Sequence, residues 1–111
     1  MELIEFMDLV QKVFDSLPEF IKSSLENLEI TVEEKDNGYL LGIYKGVPLI
    51  SRGINYNFTL PDKIVLFKEE IENAAYFENI SIEEKIRKVL LHEIGHYLGL
   101  NEEKLRELGV Y

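Results

Sequence analysis

Two histidines and the glutamate between them are the residues of this sequence that could perform chemistry. The chain contains only His92 and His96, and Glu93 follows the first of them. On a helix, side chains four residues apart share one face, so both imidazoles can reach one ion at about 2.0–2.1 Å. Glu93 lies one position after His92, so its side chain leaves the helix in a different direction and points beside the ion, where it can polarise a bound water. Since zinc lowers the pKa of that water, the spacing predicts a zinc site with Glu93 as base.

A third ligand is predicted downstream of the histidines. Gly99 lies three positions after His96, and Glu102 lies three positions after Gly99. A glycine there lets the backbone turn sharply enough to bring Glu102 back over the histidines, and three protein ligands leave a fourth position open. The alternative is that Glu102 is favoured by the dipole of a last helix, with Glu103 as a neighbouring competitor. Such a site would also accept Co, Ni or Fe.

A long capped helix must carry the two histidines. Ser81 and Glu84 form the capping-box pattern, so we expect a helix from Ser81 through Leu98, ended by Gly99 in the left-handed conformation. Its apolar positions lie on one side, at Ile82, Ile86, Val89 and Leu90. The histidines follow the edge of this stripe, which predicts a place beside a cleft. The alternative is two surface histidines that flank a glutamate by chance.

The first half of the chain combines helical and strand patterns, which indicates an α+β fold. Apolar residues recur at helical spacing over residues 2–16, and Pro18 opens a short second turn. Leu28–Val32 alternates with the period of a strand. The turn at Asp36-Asn37-Gly38 then predicts a hairpin, with Tyr39–Tyr44 as the partner strand.

The second half supplies a long loop, a buried strand and the remaining helices. Residues 45–62 lack a clear period, so we predict a functional loop with a short strand near Tyr56–Leu60. A continuously apolar strand follows at residues 63–67, and a helix at residues 68–77. A last helical segment is expected over Glu102–Leu108.

Composition limits the classes of function. The 111 residues, 46% of them apolar, predict one domain spanning residues 1–111. A formal charge of −9 argues against binding to nucleic acid or to an anionic membrane surface. The absence of cysteine excludes disulfides, thiol catalysis and thiolate metal sites. Because the N-terminal segment has no basic region of the kind that begins a signal peptide, we expect a cytoplasmic protein.

The stretch from His92 to Glu102, HEIGHYLGLNE, resembles the extended zinc signature of zincin metallopeptidases. With the segments LLGIYKGVPLISRG and LPDKIVLFKEEIE, it is similar to the small single-domain zincin-like metallopeptidases of bacteria over about residues 39–109. The resemblance implies a minimal zincin-like fold, in which a small twisted sheet packs on an N-terminal helix and a zinc-binding active-site helix. It also implies zinc held by His92 and His96, Glu93 as general base, and peptidase activity. The methionine turn of metzincins is absent, since Met1 and Met7 are the only methionines.

We therefore expect a zinc-dependent metallopeptidase acting on a peptide or small protein, with a catalytically silent zinc-binding structural or interaction module as the alternative. An RNA-cleaving metalloenzyme is disfavoured, because its three-histidine pattern cannot be built from two histidines. Tyr44, Tyr56 and Arg52 lie in or beside the long loop and are candidate donors to an oxyanion, with ordinary packing or a surface ion pair as the alternative. Tyr97 faces the apolar stripe and is expected in the core.

Overall fold

The structure is a computed structural model, and it describes residues 1–25, 27–46 and 62–107. Within these ranges the chain forms five helices and three strands. In chain order they are α1 (Leu3–Asp15), α2 (Glu19–Lys22), β1 (Leu28–Glu33), β2 (Gly42–Lys45), β3 (Asp62–Phe67), α3 (Lys68–Glu78), α4 (Ile82–Tyr97) and α5 (Glu102–Glu107). The fold is therefore α+β, as the sequence predicts. The predicted loop strand at Tyr56–Leu60 and the side chains of Arg52 and Tyr56 lie outside the described residues.

The three strands form one sheet in the order β1-β3-β2. Strand β3 is parallel to β1 and antiparallel to β2, so it separates the two strands that the sequence pairs as a hairpin. The hairpin prediction is wrong because β3, which contains the apolar run Ile64–Phe67 and is almost wholly buried, takes the centre of the sheet. The Asp36 turn does form, with its carboxylate accepting the N–H groups of Gly38 and Leu40, but it leads to a strand on the far side of β3.

The core lies between the sheet and helices α1, α3 and α4. It is built from buried aliphatic and aromatic side chains, among them Phe6, Val10, Val13, Ile64, Leu66, Ile71, Ile86, Leu90 and Ile94. Each fully buried side chain of this kind contributes about 1.5–3 kcal/mol relative to exposure, so α4 is held firmly along its apolar stripe. Among the described residues, none of the helices combines the length and the apolar composition that a membrane span requires.

Helix α4 begins and ends where the sequence predicts, within one residue. The Ser81 hydroxyl accepts the N–H of Glu84 at 3.0 Å, which satisfies a free donor of the first turn. Gly42 allows strand β2 to approach the middle of the helix, since a Cβ there would lie 3.0 Å from Cγ1 of Val89. The edge strand β2 consequently runs beside the part of α4 that carries the histidines.

Candidate metal centre

Three side-chain donor atoms converge on one side of α4. The Nε2 atoms of His92 and His96 are 3.1 Å apart. Oε1 of Glu102 lies 3.4 Å from the first of these nitrogens and 3.0 Å from the second. The structure thus brings together the three residues that the sequence proposes as ligands, and they form a group able to hold a metal ion.

The spacing of these atoms fits a tetrahedral ion. Zinc bonds of about 2.0–2.1 Å imply separations of about 3.3–3.4 Å between neighbouring ligand atoms of a tetrahedron. The three separations in the structure, 3.0 to 3.4 Å, are close to that edge. Imidazoles protonated on Nδ1 present Nε2 lone pairs beside a carboxylate oxygen, which is a donor set suited to zinc. One tetrahedral position is left without a protein ligand from this group.

The histidines lie at the border between core and solvent. Their side chains are 21% and 31% exposed, and their rings meet edge to face with centroids 4.7 Å apart. The neighbouring residues Glu93, Ile94 and Gly95 are buried on the core side of the helix. Both side chains line a cavity while their neighbours are buried in the core, so the histidines lie beside a cleft at the edge of the apolar stripe, as the sequence predicts.

The turn after α4 directs the chain back over the histidines. Gly99 has φ of +90°, and the N–H groups of Gly99 and Leu100 donate to the carbonyls of His96 and Gly95, both at 2.9 Å. These bonds form a Schellman motif, which requires the left-handed residue that the sequence predicts. Asn101 then caps α5, its side-chain oxygen accepting the N–H of Lys104 at 2.8 Å.

Close packing of α5 against α4 sets the position of Glu102. Leu105 is fully buried, and a Cβ on Gly95 would lie only 2.2 Å from its Cδ2 atom. The glycine between the two histidines therefore makes room for the short helix that supplies the carboxylate. Glu102 is the first residue of α5, so the helix-start alternative describes its location correctly, and its Oε1 still reaches both imidazoles. Glu103 is exposed and is not part of the group.

Glu93 is buried beside the three donor atoms, on the side facing β2. Glu93 is only 8% exposed, and its carboxylate accepts a hydrogen bond from the backbone N–H of Tyr44. Burial raises the pKa of Glu93 above its ordinary value, while His92, His96 and the Tyr44 bond oppose the rise. A carboxylate with a raised pKa at the edge of a cleft is suited to accept and release a proton.

Tyr44 contacts Glu93 through its backbone, a contact that the sequence does not reveal. Its hydroxyl donates to Oδ2 of the buried Asp62 at 2.6 Å, and Tyr97 packs edge to face against its ring. The hydroxyl is therefore engaged with Asp62, while the backbone of Tyr44 holds Glu93. Tyr97 is fully buried, as expected. The contact between the Tyr44 backbone and Glu93 arises where β2 packs against α4, and no local sequence pattern predicts it.

An open cavity of about 570 Å³ lies over the donor atoms. Its walls come from β2, from Leu40 two residues before that strand, from α4, and from the turn into α5, and they combine apolar and polar groups. This volume falls within the roughly 300–1,000 Å³ typical of ligand sites. The arrangement contains the groups that a hydrolytic metal centre requires: two imidazoles and a carboxylate able to hold an ion, a buried carboxylate beside them, and an open cavity.

Comparison with known proteins agrees with this geometry. A model of the zincin-like metallopeptidase family matches residues 21–110, which is most of the chain and includes all three donor residues. The protein belongs to the zincin-like metallopeptidase family. A conserved hypothetical protein from Thermo thermophilus has a similar solved structure, with a TM-score of 0.60, 24% identity, and coverage of 96% of this chain and 98% of that one. That likeness shows the fold. No curated protein matches the sequence.

Proposed function

We propose that this protein is a zinc-dependent metallopeptidase whose metal is held by His92, His96 and Glu102. The observation that carries the proposal is the convergence of three ligand atoms at 3.0 to 3.4 Å from one another, with a buried carboxylate at their side. Zinc bound there would act as a Lewis acid that lowers the pKa of a water and polarises a peptide carbonyl. The family to which the chain belongs supports the same assignment.

Glu93 is the general base of the proposed reaction. It accepts a proton from the attacking water on a carboxylate oxygen and then donates that proton to the leaving amine nitrogen. Burial favours its protonated form after the first transfer, and the Tyr44 N–H keeps the carboxylate oriented toward the cleft. One residue can therefore perform both proton transfers without changing position.

The proposed substrate is a peptide or small protein, bound in the cleft beside β2. The cavity is partly open to solvent, so an extended chain can enter it from the surface. The formal charge of −9 supports a polypeptide rather than a nucleic acid or an anionic membrane as the partner. A cytoplasmic location remains part of the proposal.

The Glu93→Gln variant tests the mechanism. The amide is nearly isosteric and cannot accept the proton, so we expect zinc content like that of the parent and no cleavage of a peptide library that the parent cleaves. Mass spectrometry of the products detects cleavage, and a chelator control establishes that it depends on metal. Cleavage by Glu93→Gln at the parent rate would exclude this role for Glu93.

The structure also favours one other reading, a zinc-binding module without catalysis. Leu105 is the one buried side chain of α5 among the described residues, so a metal between α4 and Glu102 would fasten this short helix to the domain. The same experiment separates the two functions. A module would bind zinc and gain stability from it, yet the parent would cleave no member of the library.

A further inference from the structure

A second cavity continues from the metal cleft toward the N-terminal end of α4. It has a volume of about 390 Å³ and shares Leu40, Gly42, His92 and Glu93 with the first cavity. Its remaining walls include Val89, which is buried, and Lys88, which is exposed. A substrate held at the metal centre would therefore extend directly into this second cavity.

Lys88 places a positive charge one helical turn from the metal ligands. Lys88, His92 and His96 follow one another at intervals of four residues, so they lie on one face of α4. Lys88 makes no ion pair within the ranges that the structure describes. The other lysine of this cavity, Lys85, is engaged with Glu78 at 2.7 Å. Lys88 is consequently the cation whose charge remains available to a ligand.

The two cavities give this end of the cleft an amphipathic character. Leu41 and Val89 line its walls, and Tyr39, which is 98% exposed, stands at its rim. Among the described residues, Glu93 is the only acidic one that lines the second cavity, and it is buried. This combination accepts a side chain with an aliphatic stem and a negative end, because the stem meets apolar walls and the end meets the lysine ammonium.

We propose that Lys88 makes this part of the cleft a subsite for a carboxylate of the peptide substrate. The inference rests on the proposed peptidase function, since the anions of an unmodified peptide are Asp and Glu side chains and the C-terminal carboxylate. Four helical residues span about 6 Å and an extended peptide advances about 3.3–3.6 Å per residue, so the carboxylate belongs to a residue one or two positions from the scissile bond.

The negative charge of the whole protein does not oppose this subsite at short range. The formal charge of −9 repels acidic peptides at a distance, but salt screens such forces beyond about 8–10 Å. Lys88 acts at contact distance, well within that screening length. Net charge therefore affects the rate of encounter, and Lys88 affects which peptide is retained.

The test uses binding and cleavage together. Randomised octapeptide libraries, one with free and one with amidated C-termini, are passed over immobilised zinc-loaded Glu93→Gln protein, and bound peptides are sequenced by mass spectrometry. The same libraries are then cleaved by the zinc-loaded parent. An exposed ion pair changes affinity only modestly, so we expect Asp and Glu to exceed Asn and Gln by about two- to fivefold at one position.

Three substitutions on α4, two at Lys88 and one at Arg87, provide the comparison. For the binding experiment, each substitution is combined with Glu93→Gln in the immobilised protein. For the cleavage experiment, each substitution is introduced alone into the parent. Lys88→Gln should abolish the acidic preference, whereas Arg87→Gln removes the same charge from a neighbouring position that does not line the cavity and should retain it. Lys88→Glu should reverse the preference toward Lys and Arg. Zinc content and circular dichroism of each variant establish that the fold and the metal centre are intact.

Each outcome separates this inference from the proposed function. Acidic enrichment on binding without cleavage by the parent would support the subsite and contradict peptidase activity. Cleavage without acidic preference, or a preference retained in Lys88→Gln, would overturn the subsite and leave the peptidase proposal standing. Enrichment restricted to the library with free C-termini would assign the carboxylate to the chain end, and enrichment in both libraries would assign it to a side chain.

Discussion

The packing of α5 against Gly95 gives a quantitative test of how Glu102 is positioned. In a Gly95→Ala variant, the new methyl would lie 2.2 Å from Cδ2 of Leu105, whereas ordinary contacts begin near 3.4 Å. The two atoms must therefore separate by about 1.2 Å, and overpacking of this kind costs about 1–3 kcal/mol. Alanine also favours the helix by about 1 kcal/mol, so unfolding of the metal-free protein is a poor readout.

Zinc affinity is the informative measurement for this variant. Leu105 is fully buried and its side chain has little room to turn aside, so α5 yields and carries Glu102 with it. Metal–ligand distances tolerate only about 0.2 Å, so a shift near 1 Å removes the carboxylate from the site. We expect the zinc dissociation constant to rise at least tenfold, since loss of a residue that only hydrogen-bonds a metal ligand already weakens metal affinity about 10–100-fold. At saturating zinc, the stabilisation of the fold by the metal should fall by about 1.4 kcal/mol or more.

The assay is zinc competition against a chromophoric chelator, with thermal unfolding in the presence and absence of zinc. The matched control is the double variant Gly95→Ala/Leu105→Val, which removes a methylene where the first change adds a methyl. Because the two sites are in contact, the effects should not add, and the double variant should recover much of the affinity. Parent-like zinc affinity in Gly95→Ala would refute the claim that this glycine positions Glu102.

Two further predictions concern stability of the surrounding frame. Tyr44→Phe removes the 2.6 Å hydrogen bond to the buried Asp62 carboxylate, and we expect unfolding free energy to fall by about 1.5–3 kcal/mol in denaturant titrations. Lys68, 7% exposed, pairs with Glu72 at 2.8 Å and Glu34 at 3.1 Å, so Lys68→Met should cost about 1–3 kcal/mol. The pKa of Lys68 is raised above 10.5, mainly by the hydrogen bond to Glu72. The stabilisation by the Lys68 ammonium is therefore complete below pH 10.5 and is lost as pH rises through the pKa of Lys68 in the folded protein. The parent should lose its advantage in stability over Lys68→Met only in strongly alkaline solution.

Exposed positions of the same residue types are the controls for both predictions. Tyr76→Phe changes a residue that is 81% exposed, and it should leave stability within about 0.5 kcal/mol of the parent. Lys104→Met alters an ion pair of an exposed lysine and should have an equally small effect. Equal losses in Tyr44→Phe and Tyr76→Phe would show that the Asp62 bond contributes nothing. A Lys68→Met protein with the stability of the parent at pH 7 would contradict the ion-pair argument.

Local patterns are sufficient to predict the helices and the three residues whose side-chain atoms converge beside α4. Helix α4, its Ser81 cap and the left-handed Gly99 depend on residues within a few positions of one another, so periodicity and capping rules identify them. The same is true of His92 and His96, whose shared face follows from helical spacing alone. Glu102 requires one more step, the turn at Gly99, and the structure places its carboxylate oxygen 3.0 Å from His96.

Contacts between distant segments are not predictable in this way. The turn after β1 predicts a hairpin, although its strands lie on opposite sides of β3. Which strand occupies the centre of a sheet depends on how apolar it is relative to every other segment of the chain. Here the central strand is the one with the apolar run Ile64–Phe67. The bond from the Tyr44 backbone to Glu93 and the contact of Gly95 with Leu105 are consequences of tertiary packing and leave no local signature.

The most direct test of the central claim is the zinc content of the untagged protein, measured by elemental mass spectrometry beside three variants. The account predicts about one zinc per chain in the parent, loss of zinc in His92→Ala, and weakened binding in Glu102→Ala. Glu103→Ala, which removes the neighbouring carboxylate, should retain the parent content. A parent that takes up no zinc even after its addition, or equal binding by Glu102→Ala and Glu103→Ala, would contradict the proposed metal centre.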